Sequence, residues 1–519
     1  MNHISALTLA LLFSISSFCQ SFIRSELPTE VNRPWEITYG PDGFLWLTEK
    51  DGNVSRVDPV TGDKQIVFTA NDYFPGSDLE NSAICPGRKI GVGTLGLTLH
   101  PQFLNPSTAY IYFLYSYNHG TESEPYTRFR VKRLTWDATN ETVVANTNLI
   151  DSITTGLDHL GGRLLAVERN GQSHLYLSLG DNGVSEQNSP ECYDPQSTNP
   201  NNFTQDPATQ NGKIHRFNMD GSIPADNPIP GNSFFTRGHR NPQGLMYNTR
   251  LDLLYDIEHG DRTDDEINIL ESGMNYGWKQ VRGYHNDDSF DGEADFVSNY
   301  TPHPSIANDA LKEPFYSWCT TRDTSDQYTE WCTVAPSDGI YYDSPGIPQW
   351  TNSLLVVTLK DGLSTDREVH LFRLQENGEL VASTQENPNP TTFFGEDQAA
   401  NGRLRDITYS PDGKRIYLIN NGGTDRDKIT VYELDPDGVA STAEQKEIHL
   451  FPNPVEGYLT LANFSGSAAS LSLFNVMGNS IPLPSLQENQ LDVSNLAPGC
   501  YILHFEKNGQ PMSKRFLKL

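Results

Sequence analysis

Cations are scarce in this chain of 519 residues: 37 Lys and Arg stand against 66 Asp and Glu, a formal net charge of −29. Such an excess of carboxylates repels phosphate, which argues against nucleic acid or an anionic membrane surface as a partner. Long apolar runs are missing too. The one apolar stretch, residues 4–18, is too short and too terminal to span a bilayer and reads as the core of a secretory signal peptide over residues 1–20. Bulky Phe18 before Cys19 argues against lipidation, so no membrane span or anchor is expected. Cysteine is rare, six in all, and its spacings match no structural zinc site. There is no Gly-x-Ser-x-Gly elbow and no Gly-x-Gly-x-x-Gly opening a helix, so serine-hydrolase, nicotinamide and flavin chemistry find no support.

What is present is turn-rich. With 41 Gly, 33 Pro and 36% hydrophobic residues, the composition indicates an all-β globular chain of more than one domain. An internal repeat is visible. Ile37-Thr38-Tyr39-Gly40-Pro41-Asp42-Gly43-Phe44-Leu45-Trp46-Leu47 returns as Ile407-Thr408-Tyr409-Ser410-Pro411-Asp412-Gly413-Lys414-Arg415-Ile416-Tyr417-Leu418. Each copy is strand, tight turn, strand, with a third strand after it. Weaker copies over residues 95–137, 163–221, 244–270 and 353–374 bring the total to six three-stranded units, the pattern of a β-propeller over residues 21–436. The first and last copies match best because both are expected at the seam of the ring. A polar linker, residues 437–447, precedes a small β-sandwich over residues 448–519. Export permits disulfides, with Cys319 and Cys332 as the natural pair, Cys85 with Cys192 as a second, and Cys500 left single.

Two loops concentrate chemistry. Gly238-His239-Arg240-Asn241-Pro242-Gln243-Gly244-Leu245 carries a guanidinium and amides. One strand later, Glu258-His259-Gly260-Asp261-Arg262-Thr263-Asp264-Asp265-Glu266 offers carbonyls and carboxylates to a hard cation. An anion bridged to calcium is the simplest occupant of such a pair. Further cations border strands of other repeats: Lys360, Arg403 and Arg405. Alone, each would be a solvated charge; together they suit a polyanionic small molecule. The proton-transfer candidate is Asp158-His159 before Gly161-Gly162, with Asp181 placed to orient the imidazole.

With these motifs in hand, the chain from about residue 33 to 434 resembles the soluble pyrroloquinoline-quinone (PQQ) dependent glucose and aldose sugar dehydrogenases of the glucose/sorbosone dehydrogenase family. The Gly238–Leu245 block carries most of this resemblance, with Leu99-His100-Pro101, Asp158-His159, Asp264-Asp265-Glu266-Ile267-Asn268, Asn275-Tyr276-Gly277-Trp278 and Arg403-Leu404-Arg405-Asp406 in the family's order. The resemblance implies a six-bladed propeller that oxidises the anomeric hydroxyl of an aldose to a lactone, by hydride transfer to calcium-bound PQQ. His159 would be the base and Asp181 its orienting partner. Asp158, Arg240, Asn241, Lys360, Arg403, Arg405 and Trp331 would border the cofactor. Gly260 and Asp261 would give carbonyls to the catalytic Ca²⁺. Glu266, Tyr276, Arg282, Tyr284 and Asn286 or Asp287 would hold a second, structural ion. An external acceptor would take the electrons, and a homodimer is left open. Three positions depart from the family pattern: Gly91 stands where a Gln is expected, Asp261 where a Pro is, and Asn420-Asn421 where an acid is.

The C-terminal segment resembles the sorting domain of type IX secretion substrates, through Phe451-Pro452-Asn453-Pro454, Leu496-Ala497-Pro498-Gly499-Cys500-Tyr501 and the terminal lysines. Export by that machinery to the cell surface or exterior is therefore expected. Two other classes stay open: a cofactor-free glycan-binding propeller and a calcium-dependent lactonase.

Overall fold

In the computed structural model, the described residues are 21–519 apart from 75–92, 122–126, 156–158, 183–202, 286–290, 321–330, 361–366, 385–386, 396–401, 422–426, 436–448, 452, 454, 463–470, 476–478, 488 and 508–509. The expected signal peptide and linker, Cys85, Cys192, Gly91, Asp158, Asn286 and Asp287 lie outside the described residues. The chain divides into two compact units, residues 22–435 and a C-terminal unit from Pro436.

The first unit opens with β1 (Phe22–Glu26) and then forms four-stranded antiparallel sheets in sequence order. These are β2–β5 (Glu36–Tyr39, Leu45–Glu49, Asn53–Val57, Lys64–Thr69), β6–β9 (Thr94–Leu99, Tyr110–Asn118, Thr127–Asp137, Thr142–Ile153) and β10–β13 (Gly161–Arg169, Gln172–Leu179, Lys213–Asn218, Phe234–Arg237). Then come β14–β17 (Pro242–Asn248, Leu253–Glu258, Asp265–Ile269, Tyr316–Trp318), β18–β21 (Pro336–Tyr342, Ser353–Thr358, Val369–Arg373, Thr391–Phe393) and β22–β24 (Arg403–Tyr409, Arg415–Asn421, Ile429–Leu434). The only α-helix among the described residues of this unit is Glu293–Ser298. Contacts run in series between first strands, β2 to β6, β10, β14, β18 and β22, and β22 also touches β2. All-β sheets ordered this way are consistent with a propeller.

The sheets differ from the sequence expectation in two respects. Each gains a fourth, outer strand: β5 and β9 are mostly exposed, and β13, β17 and β21 are only three or four residues long, too short to show a period. The fifth repeat begins one strand before the expected Ser353, at β18, whose Pro-Ser-Asp-Gly start looks like a turn. The seam also differs. β2–β5 form a complete sheet, and it is β1 that pairs with β24, Phe22 opposite Leu434, to complete the last one.

A recurring irregularity positions the functional residues. Five first strands carry a register shift near their start: between Thr94 and Leu97, Gly161 and Leu164, Pro242 and Gly244, Pro336 and Asp338, Leu404 and Asp406. A bulge re-aims the side chain it skips. Here the skipped residues meet: Arg405 Nη1 donates to Gln243 Oε1 at 2.6 Å and Ser337 Oγ donates to the Arg405 carbonyl at 2.7 Å. Just below, buried Arg163 of β10 pairs with Glu36 of β2, Asp338 of β18 (3.0 Å) and Asp406 of β22 (3.1 Å). One guanidinium thus ties four sheets together. It serves three carboxylates, and burial raises Glu36 to about 8 despite Arg163.

The C-terminal unit holds two further sheets, β25 (His449–Phe451), β26 (Tyr458–Ala462), β30 (Gln490–Asp492) and β29 (Leu486–Gln487), and β28 (Ser480–Ile481), β27 (Leu471–Asn475), β31 (Gly499–Lys507) and β32 (Gln510–Lys518). Leu459, Leu461 and Leu491 of one meet Leu471, Leu473, Leu503 and Phe516 of the other in a shared core, a small sandwich.

Candidate active site

His159 enters β10 with a left-handed backbone, φ 50°, unusual for a non-glycine residue. The conformation is held from below. The His159 carbonyl accepts from Asn182 N–H at 3.2 Å, and a Cβ on Gly180 would lie 1.9 Å from that same oxygen, so only glycine fits there. The buried imidazole presents Nδ1 to Asp181 Oδ1 at 2.8 Å. Asp181 Oδ2 accepts from Trp278 Nε1 at 2.8 Å, and its backbone N–H donates to the Arg240 carbonyl at 2.8 Å. Both carboxylate oxygens are therefore committed, and because Nδ1 is held by Asp181, proton transfer by this ring would go through Nε2.

That ring lines a cavity of about 430 Å³, within the roughly 300–1,000 Å³ usual for small-molecule sites. Its other walls include Arg240, Asn241, His259, Gly260, Asp261, Trp331, Lys360 and Arg403. These come from four sheets and from the segment before β18, so only the fold assembles them. Arg240 is fixed at its backbone by Glu258 Oε2 (2.9 Å), and its Nη2 lies 3.8 Å from Asp261. Lys360, also buried, donates to the Trp331 and Thr333 carbonyls, the latter at 2.6 Å. This anchors the segment that the Cys319–Cys332 disulfide also holds, the pairing expected from the sequence. Arg403 is exposed at the rim.

Arg405 does not line this cavity. The bulge turns it onto Gln243, and burial, followed by Arg403 nearby, pushes its pKa well down. Gln243 and His259 were missed as site residues. Both sit inside the quoted motifs, but nothing in a string of letters says which members of a loop face inward. His259 Nδ1 lies 3.4 Å from Asn241 Nδ2, and burial, then Arg240 and Arg405, drive its pKa well below the usual range.

A second, much smaller cavity of about 10 Å³ adjoins the first, room for about one water or ion. Glu258, Gly260, Asp264, Glu266, Tyr276 and Arg282 line it, so three of the expected structural-ion residues come together there. Gly260 sits in a turn so tight that a Cβ would lie 2.0 Å from the Thr263 carbonyl, while its N–H donates to Asp265 Oδ1 at 2.8 Å. Glu266 accepts from Gly283 N–H (2.7 Å) and Asn268 Nδ2 (3.0 Å). Burial and neighbouring Glu258 push its pKa well up. Oxygen donors around a pair of crowded carboxylates suit a hard cation. Tyr284, half-buried, lines neither cavity. The Asp261 carboxylate pairs with Arg282 at 2.8 Å and reaches toward Arg240.

Residues 31–429 match the family described as glucose / sorbosone dehydrogenase, and residues 449–518 match the secretion system C-terminal sorting domain. Quinoprotein glucose dehydrogenase B of Acinetobacter calcoaceticus is 28% identical over 447 residues, covering 78% of this chain and 86% of that protein. Among solved structures, the PQQ-bound aldose sugar dehydrogenase of Streptomyces coelicolor shares 21% identity at a TM-score of 0.54, covering 81% of this chain and all of that one. The apo aldose sugar dehydrogenase of Escherichia coli shares 20% at 0.57, covering 80% of this chain and all of that one.

Proposed function

The chain belongs to the glucose/sorbosone dehydrogenase family, and from that premise we propose that it is an exported quinoprotein, oxidising the anomeric hydroxyl of an aldose to the lactone with PQQ and Ca²⁺. The observation that carries the reading is the His159–Asp181 pair opening onto a cavity where Arg240, Lys360 and Arg403 converge from three sheets, with Asp261 and Asp265 confined to the segment just after Gly260. A lactonase would need acidic ligands there, and a glycan binder would have no use for Arg240, Lys360 and Arg403 at one cavity. In this reading the six sheets are the blades of a six-bladed propeller, the sandwich is a type IX sorting domain, and an external acceptor takes the electrons.

The residues fit the cofactor and the ion. Arg240, Lys360 and Arg403 offer charge-assisted donors to carboxylates and quinone oxygens, and Trp331 offers an aromatic wall. The carbonyls of Gly260 and Asp261 would hold one Ca²⁺, and Glu266 with Tyr276 and Arg282 a structural one. When bound, the Ca²⁺-polarised quinone supplies the two-electron oxidant. The chain does the rest. Asp181 fixes the Nδ1–H tautomer of His159, so Nε2 carries a lone pair and takes the hydroxyl proton. Arg240 places positive charge beside the developing negative charge. The decisive experiment is reconstitution of the purified chain with PQQ and Ca²⁺, followed by an aldose screen with an artificial acceptor. Aldose-dependent acceptor reduction that requires both additions is expected. Its absence for every aldose, with glycan binding or lactone hydrolysis instead, would replace the reading.

A further inference from the structure

We propose that His259 is a ligand-facing hydrogen-bond donor whose Nε2–H is held ready for an acceptor oxygen of the molecule that fills the larger cavity. The proposal rests on the reading of that cavity as a quinone site. It begins with an amide. Asn241 Oδ1 accepts from the backbone N–H of Gly161 at 3.2 Å and faces Gln243 Nε2 at 3.4 Å. Both neighbours can only donate, so the amide orientation is determined and Nδ2 is the end turned toward His259 Nδ1. An amide nitrogen cannot accept, so Nδ1 must, and the single ring proton then resides on Nε2.

Nε2 is buried and has no hydrogen-bond partner among the described residues. A buried donor without a partner is costly, and the exceptions that persist in folded proteins call for an explanation. A cation cannot supply the missing partner, since an N–H does not face a positive ion. The ion of the small cavity is thereby excluded, although His259 lines that cavity as well. What remains is an acceptor oxygen in the larger cavity, which His259 lines beside His159, Arg240 and Asn241. Asn241 then acts on the cofactor through His259, with its carbonyl and one amide hydrogen already committed inside the protein.

The test is titration of PQQ into the full chain with Ca²⁺ present, read by quenching of tryptophan fluorescence, since Trp331 lines the cavity. His259→Leu removes the donor and should weaken binding about tenfold or more, the scale of one hydrogen bond to a charged acceptor. His259→Gln should restore the affinity to within about threefold, because its carbonyl can accept from Asn241 while its amide donates onward. His259→Leu binding PQQ as tightly as wild type overturns the proposal. So does His259→Gln failing to rescue while melting as wild type does, because the loss would then come from packing or from a displaced water. If the wild-type chain does not bind PQQ at all, the quinone reading itself falls, which is a distinguishable result.

Discussion

Replacing Asp181 by Asn removes one oxygen and leaves the volume unchanged, so it isolates the orientation of His159. Asp181 now accepts two hydrogen bonds at 2.8 Å, from His159 Nδ1 and from the indole of Trp278. Asparagine has one acceptor and one donor to offer those positions. The indole can only donate, so the amide oxygen must turn to Trp278; the reverse leaves a buried indole N–H unpaired, at about 1–3 kcal/mol. The amide N–H then faces His159 Nδ1, and the ring shifts its proton to Nε2. The lone pair that would take the substrate proton is gone. Turnover should fall by roughly 10²–10⁴, the contribution of a positioned general base. PQQ affinity and melting temperature should hold, because Asp181 itself lines neither cavity and the substitution keeps both its bond to Trp278 and its backbone bond to the Arg240 carbonyl. The assay is steady-state acceptor reduction at saturating PQQ and Ca²⁺, with a parallel PQQ titration. Turnover within about threefold of wild type would refute the tautomer argument.

Other outcomes follow from the same geometry. Arg403→Ala should weaken PQQ binding roughly tenfold or more while leaving the melting curve alone, since Arg403 is exposed at the rim and loses a charge-assisted contact; equal affinity in a fluorescence titration would contradict the cationic-wall reading. Exhaustive chelation should lower the melting temperature and abolish PQQ-dependent turnover, both recovering on Ca²⁺ addition, because an ion bound only by the folded state stabilises it. Glu266→Gln should lower the temperature even with Ca²⁺ in excess, and a melting curve indifferent to both treatments would remove the ion. Burial raises folded Glu36 to about 8 from the ordinary carboxyl value of 4.5, with Arg163 opposing and Asp406 adding to the effect. A raised carboxyl contributes stability that is full below about 4.5 and is lost as pH climbs through about 8. Denaturant midpoints should therefore decline over that window. Glu36→Gln, which mimics the protonated form, should flatten the decline; an unchanged slope would show that Glu36 ionises freely.

Much of this protein is set by local chemistry and can be read from its letters. Pro-Asp-Gly turns between alternating strands dictate hairpins wherever they occur, so the repeat was legible at both ends of the first unit. The C-terminal sandwich, Cys319–Cys332 and the Gly238–Leu245 block are legible for the same reason: short motifs carry their own geometry. The outer strands were not, because β5 and β9 are exposed and need no apolar alternation while β13, β17 and β21 are too short to show one, and β18 was hidden behind a turn-like Pro-Ser-Asp-Gly. Only the tertiary structure placed β1 beside β24, since pairing across the whole unit leaves no local trace. Residue type marked Arg405 and Lys360 equally as cations, yet a bulge one residue long turns Arg405 onto Gln243 while Lys360 stays in the cavity wall. His259 was an unremarked letter between Glu258 and Gly260. Its role depends on which way the amide of Asn241 points, and that is decided by a backbone N–H of Gly161, eighty residues earlier in the chain. Local sequence determines turns and faces; contacts between sheets decide orientation, and the chemistry proposed here depends on orientation.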